Sequence, residues 1–154
     1  MSNTIRCIII EFGTLYIRIG LSGESLPRYV FKHNISNIHQ NHLNLNIKLH
    51  ELFHKIFVNL LQIKSKLCSV LIIEKFLGTK YFRDNVITIL LKDFQIQSVS
   101  MQPDLYLGLL GVGLENGLVL NIGEYECQCM CFAYGKPLIQ TLKGIKLLSN
   151  LYLQ

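Results

Sequence analysis

An α/β fold, a mixed β-sheet with helices packed on it, is what this sequence predicts, together with the start of a second copy of the same fold near residue 117. Three observations carry that expectation. The chain opens with strand-like segments joined by tight turns. It then alternates strand and helix patterns, the order expected of a mixed sheet with flanking helices. Finally, the opening hairpin motif returns about 110 residues later, and self-similarity of this kind bears on the fold before any single element does.

The elements follow in order. Arg6 to Glu11 is a near-continuous β-branched run, the pattern of a strand buried on both faces. Gly13-Thr14 marks a turn, Leu15 to Gly20 a return strand, and Gly23 to Pro27 a second turn into Arg28 to Phe31. A short polar insert over residues 32–46 carries Asn34, Asn37, Asn41, Asn44 and Asn46, and asparagine favours turns, so a loop is expected there. From Leu45 to Ile63 the apolar residues recur at helical spacing, with Leu49, Leu52, Phe53, Ile56, Phe57, Leu60 and Leu61 in one stripe. Cys68 to Ile73 reads as a buried strand. Thr79 suits the N-cap of a helix over Lys80 to Phe94, whose inner face takes Phe82, Val86, Ile89, Leu90 and Phe94. Ser98 to Met101 is a short strand, and Pro103 fits the first turn of a third helix with Leu105, Leu109 and Val112 inward. Gly111, Gly113 and Asn116-Gly117 end it.

Composition narrows the function classes. Half of the 154 residues are hydrophobic and 16% are charged, which supplies a core and excludes a disordered chain. The mean hydropathy of +0.34 is high and calls for a partner surface or a missing half of the fold. No run of about 18 apolar residues is present, so no membrane-spanning helix and no membrane insertion are expected. The N-terminus enters a strand without the apolar core of a signal peptide, which points to the cytoplasm. The formal charge is +5, yet Lys64, Lys66, Lys136, Lys143 and Lys146 are scattered, without the interleaved aromatics of a nucleic-acid platform. Cys127, Cys129 and Cys131 alternate, so they share one face of a strand as small buried hydrophobes; the spacing is wrong for a zinc knuckle.

The repeat carries the functional reading. Ile8 to Gly23 reads IIIEFGTLYIRIGLSG, and Leu118 to Gly135 reads LVLNIGEYECQCMCFAYG. Each is an apolar strand ending in a carboxylate or its amide, then one residue, a glycine, a turn and a second strand closing on glycine. Between them lies VLIIEKFLGTKYFRDNVITILLKDFQIQSVSMQPDLYLGLL.

These segments, in this order, resemble the actin family, most of all the divergent actin-related proteins of the dynactin pointed end. The resemblance implies an actin-like, RNase H-like duplicated fold. Residues 1–116 would form the first half, with the insert at 32–46, and residues 117–154 the incomplete start of the second. It also implies that each hairpin is a phosphate loop of a nucleotide cleft, built from Glu11, Gly13, Thr14 and Arg18 in the first and Asn121 and Gly123 in the second.

Those positions depart from the family's pattern. Glu11 replaces an Asp that orders water around Mg²⁺, an ion that demands near-ideal octahedral geometry. Leu15 and Tyr125 replace glycines, and Arg18 replaces a phosphate-binding Lys. Asn121 lacks the charge of a second Asp. Asp104 stands where a water-orienting Gln is expected, and an ionised carboxylate donates no hydrogen bond. The resemblance therefore implies a vestigial ATP/Mg²⁺ site, no ATPase activity, and a structural subunit that joins dynactin filament and pointed-end subunits in microtubule-based transport. An ATP-binding actin-like subunit of another cytoskeletal or chromatin complex is the alternative. Because the chain ends soon after the second hairpin, a fragment, a truncated product or folding on a partner is expected.

One motif competes. His50-Glu51-Leu52-Phe53-His54 matches H-E-x-x-H, which on a helix presents two histidines on one face for Zn²⁺ with Glu51 as general base, and Glu74 as a conceivable third ligand. Lys48 and Lys55 flank it, where metallopeptidase helices keep uncharged residues. Two ordinary surface histidines are the simpler reading, with zinc peptidase activity kept as a remote alternative.

Overall fold

The computed structural model describes residues 6–33, 42–76, 78–124 and 126–146. Two compact units divide between Met101 and Gln102. The third helix, expected to close the first half, thus falls in the second unit.

The first unit is a five-stranded mixed sheet with helices on one face. Its strands are β1 (Arg6–Phe12), β2 (Tyr16–Leu21), β3 (Tyr29–Lys32), β4 (Cys68–Glu74) and β5 (Ser98–Pro103), in the spatial order β3-β2-β1-β4-β5. β1 pairs antiparallel with β2 and parallel with β4. The parallel pair requires a crossover, and α1 (His42–His54) lies within it. Ile8, Ile10, Phe12, Ile17, Ile19, Val70 and Ile72 make the buried face, on which α1 and α2 (Lys80–Thr88) pack through one continuous core. The Phe12 ring meets Phe53 of α1 at 6.3 Å and Phe82 of α2 at 5.2 Å, both edge-on. Thr79 caps α2, its Oγ1 accepting from the Phe82 N–H at 3.3 Å.

Both helices run on as π-helical turns, Lys55–Leu60 and Ile89–Asp93, and stop in the same way. Leu61 N–H donates to the Ile56 carbonyl and Phe94 N–H to that of Ile89, after which Gln62 and Gln95 each take a left-handed φ of 52°. That conformation turns the chain back under the helix and is costly for a side chain other than glycine.

The second unit is a four-stranded sheet with one helix. β6 (Gly117–Ile122), β7 (Glu126–Ala133) and β8 (Lys136–Pro137) lie side by side, and β9 (Lys143–Lys146) also pairs with β7. α3 (Asp104–Gly111) covers the face bearing Gln128, Met130 and Phe132, with Leu105 and Leu109 buried and Tyr106 stacked at 6.2 Å from Phe132.

The mixed sheets and flanking helices agree with the expectation, while four details correct it. β1 is fully buried on one face only, because both helices lie on the same side of the sheet. Residues 42–46, expected as loop, are helical, since Leu45 enters the core beneath Leu49 and draws the first turn with it. Val112 is exposed because Gly113, at φ 69°, ends the helix just before another turn could bring it inward. The cysteines of β7 do share a face, but they are half-buried: α3 lies on the opposite side. Asn34, Asn37, Asn41 and Tyr125 lie outside the described residues.

Candidate functional site

The first hairpin places Glu11 at the end of β1 directly across from Arg18 of β2. Alternation decides where they point. Ile10 and Phe12 are buried, so Glu11 lies on the other, open face of the sheet. There Arg18 Nη1 donates to Glu11 Oε1 at 2.9 Å, with both side chains partly solvated. The turn is closed by Gly13, whose N–H donates to the Tyr16 carbonyl at 3.0 Å. A Cβ on Gly13 would lie 2.7 Å from that carbonyl oxygen, so close approach of backbone to backbone is what requires glycine here. His33 braces the turn from β3's end. Its Nε2–H donates to the Gly13 carbonyl at 2.9 Å, and its backbone N–H donates to Leu15. Partial burial pulls the His33 pKa below the ordinary histidine value, and the bond to Gly13 offsets this only in part.

The second hairpin repeats the first. Asn121 pairs with Gln128 as Glu11 pairs with Arg18, and both numbers are higher by 110; Leu118 and Cys131 stand to Ile8 and Leu21 in the same relation. Gly123 N–H donates to the Glu126 carbonyl at 2.9 Å, the counterpart of Gly13 and Tyr16. Its Cβ would sit 3.2 Å from that oxygen. Register and the closing glycine hydrogen bond are therefore the same in both hairpins, while the side chains differ. Where the first has an ion pair, the second has Asn121 Nδ2 donating to Asp104 Oδ2 at 2.7 Å, and Asp104 Oδ1 accepts from the Leu105 N–H at the start of α3.

Thus Glu11, Gly13, Thr14 and Arg18 cluster at one turn of the first unit, and Asp104, Asn121 and Gly123 cluster at one turn of the second. Sequence reasoning missed three features. Gln128 in Arg18's place follows from carrying the 110-residue offset along β2 and β7, whereas the Glu11–Arg18 pair and the burial of Gln128 required the register and the position of α3. His33 had no such signal, because it reaches Gly13 only through the pairing of β3 with β2.

His50, Glu51 and His54 are exposed on α1, and the His50 ring leans on Phe94 at 5.1 Å. Among the described residues no group of three His, Cys, Asp or Glu side chains is placed to hold a metal. Glu74 is buried and ion-paired with Arg83 Nε at 2.6 Å, so it serves α2. No helix among the described residues is long and apolar enough to cross a membrane.

No family model matches the sequence. A curated relative, "Actin-like protein ARP10" of Saccharomyces cerevisiae, is 29% identical over 150 residues, which is 95% of this chain and 50% of the relative. The chain spans about half the length of the curated relative it matches. That similarity supports an actin-related family for this chain.

Proposed function

We propose that this chain is a non-catalytic actin-related structural module, of the kind that sits at the dynactin pointed end and joins filament subunits in the cytoplasm. The observation that carries this reading is the paired hairpin geometry: two turns of one register, each closed by a glycine N–H, with their polar groups bound to one another. In the first, a triphosphate would have to take Arg18 from Glu11 and then lie beside that carboxylate. In the second, Asp104 holds the Asn121 amide and brings a negative charge where an anion would bind. Like charges at such a distance repel, and a Mg²⁺ ion has no matched pair of carboxylates to offset them. These residues do not fit Mg²⁺–triphosphate, so no hydrolytic step is assigned to them. A module that holds one conformation without nucleotide suits a fixed position in a filament.

Affinity capture of the tagged chain from cytosol tests the structural role. Recovery of dynactin filament and pointed-end subunits supports it, whereas recovery of a chromatin complex alone sinks the dynactin assignment. Millimolar Mg²⁺–ATP tests the vestigial site. A ligand at about 100 times its Kd stabilises the native state by about 2.7 kcal/mol. The expected melting temperature is unchanged, and a rise of several degrees would make this an ATP-binding protein.

A further inference from the structure

β6 is an edge strand. Among the described residues it pairs with β7 on one side and with no strand on the other, and all its residues except Val119 are exposed. In the first unit the corresponding edge is filled, because β1 pairs there with β4. An open edge offers a row of backbone N–H and C=O groups to any strand that matches it, and proteins blunt such edges with charge and proline. The other outer strands are blunted in this way. β3 carries Lys32, β5 ends in Pro103, β8 is Lys136–Pro137, and β9 carries Lys143 and Lys146. β6 reads Gly-Leu-Val-Leu-Asn-Ile, with neither charge nor proline.

Hydrogen-bond phase decides what this edge can take. Gly123 N–H donates to the Glu126 carbonyl, so by the alternation of an antiparallel ladder Gly117, Val119 and Asn121 turn their backbone groups toward β7. Leu118, Leu120 and Ile122 turn theirs to the open edge. Their side chains lie on the face away from α3 and are 65%, 57% and 71% exposed.

A second copy fits this pattern. A two-fold axis perpendicular to the sheet keeps both α3 helices on one side, so residues opposite one another must share a face. With the axis at Leu120, all three edge-facing residues find partners: Leu120 meets the partner's Leu120, Leu118 the partner's Ile122, and Ile122 the partner's Leu118. Three apolar cross-strand pairs result, with no like charges opposed. α3 leaves room as well. It spans β6 and β7, with Gly108 beside Val119 and Tyr106 against Phe132. Two such helices would lie about two strand spacings apart, roughly 9–10 Å, a distance at which helices pack. The flank that meets the partner carries Gly108 and, one turn on, Gly111, where a Cβ would meet nothing within 4 Å.

We propose that β6 pairs antiparallel with β6 of a second copy, joining two four-stranded sheets edge to edge. Each copy offers one such edge, so association stops at a dimer. A strand edge of six residues falls at the low end of specific interfaces, which makes the dimer reversible. The pairing is independent of any place in a filament.

The test is sedimentation equilibrium of the full chain from micromolar to several hundred micromolar, with amide exchange read residue by residue by NMR. The mass should rise from 17.7 kDa toward twice that value. Exchange at Leu118, Leu120 and Ile122 should slow several-fold with it, whereas Val119 and Asn121, bonded to β7, are protected at every concentration. Leu120→Pro removes an edge-facing N–H and keeps the bonds to β7, so this variant should stay at 17.7 kDa. Its Val119 and Asn121 amides report whether the ladder is intact. If the ladder opens, Leu120→Lys, which sets two like charges opposite one another, decides instead. A monomer at every concentration would overturn the proposal. So would a dimer that the folded variant leaves unchanged, a dimer without the alternating protection, or species larger than two copies.

Discussion

Gly13→Ala and Gly123→Ala give a graded test of the two turns. Both glycines donate their N–H across the turn to the carbonyl three residues on, at 3.0 and 2.9 Å, yet their clearances differ. The new Cβ meets the Tyr16 carbonyl oxygen at 2.7 Å in the first turn and the Glu126 oxygen at 3.2 Å in the second. Comfortable contact begins near 3.4 Å, so the first backbone must open by about 0.7 Å and the second by about 0.2 Å. Opening the first turn weakens a hydrogen bond of about 0.5–1.5 kcal/mol and adds overpacking strain of about 1–3 kcal/mol. Alanine returns about 0.4–1 kcal/mol by restricting the unfolded chain. The balance is a loss of about 1.5–3 kcal/mol for Gly13→Ala and roughly zero to 1 kcal/mol for Gly123→Ala. Because the units can open separately, native-state hydrogen exchange is the assay, read on the β1–β2 ladder for one variant and the β6–β7 ladder for the other. A Gly123→Ala loss equal to or larger than that of Gly13→Ala would refute the reasoning.

Three further outcomes are expected. Gln62→Gly and Gln95→Gly each relieve a left-handed residue at a helix end and should add about 0.5–1 kcal/mol, seen as a melting temperature a few degrees higher; unchanged or lower values would place the strain elsewhere. Arg83→Leu leaves the buried Glu74 carboxylate without its cation and should cost about 2–3 kcal/mol, discounted from the usual 3–5 because Arg83 is partly solvated. Glu74→Gln should cost less, because Arg83 can turn to water, and the order of the two urea midpoints checks it. His33 has a folded pKa below its unfolded value of 6.5, so the unfolded state binds the extra proton first. Its contribution is complete above pH 6.5 and is lost as pH falls through the lowered folded value. The urea midpoint should therefore drop between pH 7.5 and 5.5 by more in wild type than in His33→Gln.

Much of the first unit was legible because its pattern is strong at each level. Thr79 caps where a cap was expected, the stripe from Leu49 to Leu61 is the buried side of α1 and its π-helical extension, and the opening strands pair as a meander. The misreadings come from tertiary placement. Residues 42–46 look like loop because asparagine disfavours helix, but burial of Leu45 outweighs a propensity cost of a few tenths of a kcal/mol per residue. β1 looks buried on both sides because Ile9 is as apolar as Ile8 and Ile10, and sequence does not say that both helices choose one face. At the candidate site, glycine positions were visible from spacing alone. The ion pair of Glu11 with Arg18 and the bond of Asn121 to Asp104 required register and the position of α3, which no local pattern carries.

The two hairpins also show why geometry outlasts chemistry in a duplicated turn. Register and the glycine bond are set by backbone atoms, and any side chain that avoids the turn's interior is compatible with them. Glu11 could thus become Asn121, and Arg18 become Gln128, with no change in how the strands pair. The polar groups find partners within their own unit, Arg18 with Glu11 in the first and Asn121 with Asp104 in the second. Charge at these positions is free to vary as long as each group is satisfied, whereas Gly13 is held by a 2.7 Å approach that no substitution avoids. The turn glycine is therefore what the two hairpins share, Gly13 in the first and Gly123 in the second, while the polar side chains beside it differ.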